Sequence, residues 1–216
     1  MLKDLGGNAM ISTNNIMRQI VVILDTPVKI VLIVMLIISL IMVGGLIAEF
    51  LQRRYLTIKA ASAIDAIKKG KNDPATIIKN SGLLAKQKRL LLELTIHKNL
   101  TNAMKENFAV SLLENYNHTQ EFIVKKSDLI VKLGPTFGLL GTLIPLGPGI
   151  IALAQGDTAT LSYSLLAAFD TTVIGLVAAS FCTCISLIRK KWYGKDKIML
   201  TLLMEAVVEA ETNNNV

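Results

Sequence analysis

Apolar and polar residues occur in long separate runs along the chain and do not alternate over short distances. The first long apolar run, Ile30–Ala48, comprises nineteen residues between Lys29 and Glu49. A helix of that length rises about 28 Å, close to the roughly 30 Å hydrocarbon core of a bilayer. The second run, residues 133–188, has fifty-six residues without a Lys or Arg. The pattern therefore predicts helices that cross a membrane.

The tripeptide Gln155-Gly156-Asp157 divides the second run into two spans, because glycine and short polar residues favour a turn. The segments that this division predicts are an N-terminal segment at 1–28 with a short amphipathic helix, a first transmembrane helix at 29–50, a cytoplasmic helical domain at 51–132, a second span at 133–154, an outer turn at 155–159, a third span at 160–188, and a C-terminal helix and tail at 189–216.

The predicted elements outside the spans are also helical, since no strand-like alternation occurs. Asp25-Thr26-Pro27 is expected to end the short helix over 16–24, with Pro27 starting the first span. Pro74 is expected at the first position of a cytoplasmic helix, and Ser81-Gly82 at its end. From Leu83 to Val131 no Gly or Pro occurs, which predicts one long helix, with a soft bend near 99–102 or 115–118. The fold class is therefore all-α and polytopic.

Composition agrees with a membrane protein. The chain has 216 residues, of which 52% are apolar and 18% charged, whereas soluble domains average about 25% charged. Lys and Arg collect on the cytoplasmic side of a membrane, and residues 50–131 hold fourteen of them against seven Asp and Glu. We therefore expect a multi-pass protein of the cytoplasmic membrane, with its N-terminus outside and its C-terminus inside.

The net charge of +7 is explained by this topology and by anionic lipid headgroups. Nucleic-acid binding is not expected, because the basic residues are scattered and few aromatic residues are available for stacking.

An enzyme is not expected either. The chain has no phosphate-binding, zinc-protease or CxxC motif, and His97 and His118 are isolated. No cofactor or metal is predicted.

Small residues follow one stripe of the second span, at Gly134, Gly138 and Gly141, and the third span repeats the pattern around Gly175. Stripes of this kind let two helix backbones approach closely in lipid. The four glycines are therefore expected to pack the second span against the third.

Three polar residues within the spans are the candidates for an ion pathway. Thr142 and Thr172 lie near the middle of antiparallel spans and so at similar depth, although a threonine in a helix also bonds its own backbone. Placing the carboxyl group of Asp170 in a membrane costs free energy unless the group faces a partner or a cavity. It is either a structural, hydrogen-bonded residue or a titrating site. Asp170 is about 200° from Thr172 on an ideal helix and is not expected to share its face.

The second and third spans together resemble the paired signature of the MotA/TolQ/ExbB family of ion-conducting membrane subunits. The segments that carry this resemblance are GPTFGLLGT at 134–142 and AAFDTTVIGL at 167–176. The single early span and the large cytoplasmic segment are more similar to the three-span ExbB/TolQ branch than to four-span MotA. Two departures from the family pattern are Ala167, where ExbB-type members often have Glu, and Asp170, where they are usually apolar.

The resemblance implies a homopentamer whose second and third spans line a central pore, with Thr142 and Thr172 facing it. A dimer of a single-span protein of the ExbD/TolR kind would insert into the pore and carry the ion-binding carboxylate. Transport of H⁺, or alternatively Na⁺, would then energise that partner. The other hypotheses are a non-conducting membrane scaffold and a substrate permease, the latter weaker because three spans leave little for a solute site.

Overall fold

The computed structural model describes residues 2–56, 74–96 and 102–213, with side chains described for 16–54, 76–96 and 104–209. All secondary structure in these ranges is helical. The elements are α1 (Leu2–Leu56), α2 (Pro74–Asn80), α3 (Ala85–Ile96), α4 (Asn102–Ala154) and α5 (Thr158–Asn213). The predicted all-α class is confirmed for the described part of the chain.

Three of these helices are long and apolar enough to cross a membrane. The qualifying stretches are Ile16–Arg54, Met104–Ala154 and Thr158–Glu209. Each contains one of the predicted spans. Large apolar side chains cover the outside of these helices, for example Ile41 at 68% and Leu139 at 60% exposure, and lipid is the environment that such surfaces require. The protein is therefore a multi-pass membrane protein.

The expected helix break before Pro27 does not occur. Helix α1 continues through this proline from Leu2 to Leu56. Pro27 lacks an N–H and leaves the carbonyl of Ile23 without its usual partner. The next two turns nevertheless bury Val28 and Leu32 almost completely, and the packing of this face holds the helix together where local propensity would end it.

A short turn joins α4 to α5, as the sequence predicts, but it is shorter than the expected 155–159. Gly156 has φ +75°, and the N–H of Asp157 donates to Ala152 O at 2.9 Å. Both features are typical of a helix ending in a left-handed glycine. Asp157 then caps α5, since its carboxylate accepts from the Thr160 N–H at 3.1 Å. These bonds with Thr160 hold the pKa of Asp157 below its ordinary value. Helix α5 begins at the next residue, Thr158.

The described elements between α1 and α4 agree with the predicted start and break of α2. Pro74 is the first residue of this helix, and Ser81 stops it by donating its hydroxyl to Ile78 O at 2.6 Å. The Leu84 N–H donates to the Gln87 side chain at 3.1 Å and so caps α3. Residues 97–101 lie outside the described residues. His97 is one of them, and the predicted bend near 99–102 falls on them except for Asn102.

The described chain divides into two compact units. One comprises Met1–Val43 and Ser127–Ile185, and the other Gly44–Lys126 and Ser186–Val216. In the first, α1 packs on α4 and α5 around Met35, Ile130, Ala178 and Cys182. The second has a larger core in which α2 and α3 contact α4 and α5, with Ile78, Leu91, Leu203 and Val207 fully buried.

Candidate functional site

Helices α4 and α5 pack closely along the predicted stripe of small residues. A Cβ added to Gly134 would lie 2.7 Å from Gly175 O, and one added to Gly175 would lie 2.5 Å from Gly134 O. Real Cβ atoms do not approach backbone oxygens this closely. Gly134 and Gly175 therefore form a point of close contact between the two backbones.

The other two predicted glycines extend this seam toward the turn. The Cβ position of Gly138 is 3.5 Å from the Thr172 Cα, and that of Gly141 is 2.6 Å from the Thr171 Cβ. Thr171 is buried and donates its hydroxyl to Ala168 O at 2.9 Å. The four glycines thus lie along the contact between α4 and α5, and Thr171 is the side chain that fills the space left by Gly141.

Helix α1 covers one side of the α4–α5 pair. Val28, Leu32 and Ile144 form one buried cluster, against which Ile174 also packs. Thr142 precedes Ile144 by two residues, and Thr172 precedes Ile174 by two. Two residues correspond to about 200° around an ideal helix. Both threonines therefore lie on the side of the helix pair opposite α1.

The two threonines also lie at similar depth. Gly138 and Gly141 face Thr171 and Thr172 across the seam, so Thr142 and Thr172 are separated along the pair by about one helical turn, roughly 5 Å. Both side chains are half-buried within the single chain. In the structure, Thr142 and Thr172 thus share one face of the helix pair and lie at similar depth.

The hydroxyls of these two threonines differ in their bonding. Thr142 donates its hydroxyl to Leu139 O at 2.7 Å. In the part of the chain that the structure describes, the Thr172 hydroxyl has no hydrogen-bond partner. Pro145 lies inside α4 one turn after Gly141, and because proline has no N–H the Gly141 carbonyl does not receive its usual helical bond. The region around Thr142 therefore offers several oxygen atoms in an otherwise apolar span.

Asp170 lies on the other side of the helix pair from the two threonines. It precedes Ile174 by four residues and so shares the face of α5 that packs near α1. It is exposed within the single chain, next to Phe169 at 64% exposure. Within the described residues it has no hydrogen bond or ion pair. The structure therefore does not bring Asp170 together with Thr142 and Thr172.

A cluster of charged residues joins α1 to α5 in the second unit, and no sequence pattern predicts it. The Arg53 guanidinium donates two bonds to Asp196, at 3.0 and 2.7 Å, and also binds Glu49 at 3.0 Å. Arg189 lies 3.5 Å from Glu49. The Arg53 guanidinium stacks over Trp192 at 5.1 Å. Arg53 and Asp196 are 143 residues apart, and no local pattern indicates such a pair.

Among the described residues, no group of three or more His, Cys, Asp or Glu side chains that could hold a metal ion is found. Within residues 133–154 and 160–188, the polar side chains of the α4–α5 pair are hydroxyls and two thiols, together with the single carboxylate of Asp170. Oxygen atoms of this kind solvate a cation or hold water. They do not form a nucleophile with its base.

Comparison with known proteins agrees with this reading of the α4–α5 pair. No curated protein matches the chain at a significant level. The sequence profile of the MotA/TolQ/ExbB proton channel family matches residues 85–196. That range is more than half of the 216-residue chain, and it contains the four seam glycines, both threonines and Asp170. The chain is therefore a member of the MotA/TolQ/ExbB proton channel family.

Proposed function

We propose that the protein is the ion-conducting subunit of an energy-transducing motor complex of the three-span ExbB/TolQ type, and that the ion is the proton. The observation that carries the proposal is the position of Thr142 and Thr172, which lie at one level on the side of the α4–α5 pair opposite α1. Family membership adds the chemistry, since the family is one of proton channels.

In the proposed assembly, copies of the chain form a homopentamer in the cytoplasmic membrane, with the N-terminus outside. Helix α1 faces lipid, and the threonine face of each α4–α5 pair turns toward the central axis. This arrangement is supported by the apolar residues that cover the outside of α1, such as Ile33, Ile37 and Ile41. Buried hydroxyls in lipid are better satisfied when they line a wet interior.

The proposed pore contains no carboxylate of its own at the threonine level, because Asp170 lies on the opposite side of the helix pair. The titrating acid is therefore supplied by a partner, a dimer of single-span ExbD/TolR-like proteins inserted along the axis. A proton that binds this acid neutralises it, and the two states of the partner differ in charge by one unit per site. The movement driven by this change does work elsewhere, and the subunit itself needs no enzymatic activity.

The alternative is a non-conducting scaffold, in which the same seam only holds several proteins together. The close contact of Gly134 with Gly175 serves that role equally well. The scaffold hypothesis gives no reason for two threonines at one level facing away from α1, and for this reason we favour conduction.

The test is the double substitution Thr142→Val and Thr172→Val in the complex purified from its native membrane through a tag on this chain. Valine has nearly the shape of threonine but no hydroxyl. Each lost hydrogen-bonding group is worth about 1 kcal/mol, so we expect proton flux into liposomes to fall by about tenfold or more. A pH-sensitive dye reports the flux, and parallel Na⁺ gradients identify the ion.

The matched control is Thr136→Val, because Thr136 is an exposed threonine of α4 that also bonds its own backbone, at 2.8 Å to Leu133 O. It lies about 200° from Gly134 and so away from the seam. The control variant should conduct normally. Unchanged flux in the double variant, with the oligomer intact, would favour the scaffold.

A further inference from the structure

A groove between α4 and α5 in the second unit has the form of a docking site for a helix. Its volume is about 560 Å³. Residues at helical spacing on α4 and a matching set on α5 line its two sides, and Ala109, Val110 and Met204 form part of the apolar floor. Two such stripes side by side are what an amphipathic helix packs against.

The rim of the groove is acidic. Glu106, Glu205 and Glu209 line it, and all three are exposed. Within the described residues, none of these carboxylates has an ion-pair partner. The lining of the groove contains three acidic residues and no Lys or Arg. The groove therefore favours an occupant that is helical, partly apolar and cationic.

The same unit carries a surface with those properties. Lys79 on α2 and Lys86 and Arg89 on α3 are exposed, and they too have no ion-pair partner in the described part of the chain. Ile96, at 73% exposure, provides an apolar contact at the end of α3. Glu93 is the only acidic residue of α3, so the exposed cations of α2 and α3, Lys79, Lys86 and Arg89, outnumber it by three to one.

We propose that the exposed face of α3 in one copy of the chain docks in the acidic groove of the next copy. This inference rests on the cyclic oligomer of the proposed function. The two surfaces are different parts of one chain, so the contact is heterologous, and repeating it around a symmetry axis closes a ring. A contact of groove with groove would instead place six glutamates together, and like charges at an interface oppose association.

Crosslinking between copies tests the proposal directly. Two differently tagged chains are coexpressed in a background of Cys182→Ala and Cys184→Ser, one with Arg89→Cys and the other with Glu205→Cys, and treated in whole membranes with a short bismaleimide. We expect a crosslinked dimer that carries both tags. Glu121→Cys is the control partner, because Glu121 is an exposed residue of α4 outside the groove and should give no such product.

Charge reversal provides the second arm. Glu205→Lys with Glu209→Lys should reduce the yield of a crosslink between Arg89→Cys and Val110→Cys by about tenfold, since each exposed ion pair contributes up to about 1 kcal/mol and reversal adds repulsion. Adding Lys79→Glu and Lys86→Glu should restore the yield. These residues are exposed, and circular dichroism checks that the helices are retained.

The outcomes separate this inference from the proposed function. Absence of the mixed crosslink, with a pentamer still seen by native mass spectrometry, overturns the docking proposal and leaves the channel proposal standing. Retention of the crosslink after charge reversal also overturns it. Loss of only the single-span partner after charge reversal would assign the groove to a cationic segment of that partner. A wild-type chain that is monomeric would overturn the ring itself.

Discussion

A hydrogen atom is the only side chain that the packed helices accommodate at Gly175. The space for a Cβ is occupied by the Gly134 carbonyl at 2.5 Å and the Gly138 Cα at 3.1 Å. Both are backbone atoms, which a rotamer change cannot move. Glycine normally weakens a helix by about 1 kcal/mol relative to alanine, and here the close approach of α4 offsets that loss.

Gly175→Ala should therefore destabilise the protein. Forcing a methyl group into a packed backbone contact costs about 1–3 kcal/mol. We expect a lower midpoint of unfolding in a titration with sodium dodecyl sulfate, followed by circular dichroism.

Gly147→Ala is the matched control, because nothing lies within 4 Å of its Cβ position. That variant should be neutral or slightly more stable, since alanine is the better helix former. Equal losses in the two variants would mean that helix propensity, and not the contact with Gly134, controls stability here.

The small residues of this seam were predictable because close packing of helices in lipid requires them, and the periodicity of a helix determines which of them share a face. The sequence could not show how neighbouring threonines divide their roles. Thr171 fills the space beside Gly141, whereas Thr172 turns away from α1, and this difference depends on the position of α1 around the pair.

Among the elements, α1 and α5 are joined in the second unit by a pair of charges that is well shielded from water. The side chains of Arg53 and Asp196 are only 15% and 9% exposed. Their two parallel hydrogen bonds have the geometry in which arginine binds a carboxylate most strongly. Removing Asp196 would take away the acceptor of these two bonds and leave the shielded Arg53 paired with Glu49.

We expect Asp196→Asn to lower the free energy of unfolding by about 1–3 kcal/mol, because the shielded Arg53 then loses its strongest acceptor. Glu121→Gln is the control. It removes an exposed pair with Lys125, whose side chains are 68% and 65% exposed, and such pairs are worth at most about 1 kcal/mol. Chemical unfolding of both variants provides the comparison, and a loss for Asp196→Asn no larger than the control would show that solvent screens the Arg53 pair.

The ends of the helices show where the local sequence is sufficient to predict the structure. The turn at Gly156 and the start of α2 at Pro74 follow from the conformational limits of these residues, and the structure has both. Pro27 illustrates the reverse, because burial of Val28 and Leu32 keeps α1 continuous through a residue that usually ends helices. The Arg53 pair with Asp196 could not be predicted, since it joins residues distant in the chain.

At the scale of the whole molecule, the described part of the single chain leaves the carboxyl group of Asp170 uncovered. Asp170 lies among exposed apolar side chains, including Leu166 and Val173 at 58% each. A carboxyl group that faced lipid here would be expensive. We therefore expect another subunit to cover it and to accept or donate a hydrogen bond.

The substitutions Asp170→Asn and Asp170→Leu separate the roles of this residue. Asparagine should preserve both the oligomer and the proton flux, because it keeps a hydrogen bond and lies on the opposite side of the pair from Thr142. Leucine should weaken the oligomer, as measured by native mass spectrometry. Val173→Leu serves as the control and should change neither property. Loss of flux in Asp170→Asn with an intact oligomer would instead identify Asp170 as a titrating site.

The hydrogen bond of Thr142 also bears on which ions the proposed pore could admit. A backbone carbonyl only accepts hydrogen bonds, so the hydroxyl proton of Thr142 is committed to Leu139 O. The group can therefore present only lone pairs to a species passing on its exposed side. A chloride ion near this oxygen would have no hydrogen-bond donor to bind, whereas a hydronium ion or a metal cation would bind to the lone pairs of the oxygen. At Thr142, this internal bond of α4 would thus favour cations over anions before any partner enters.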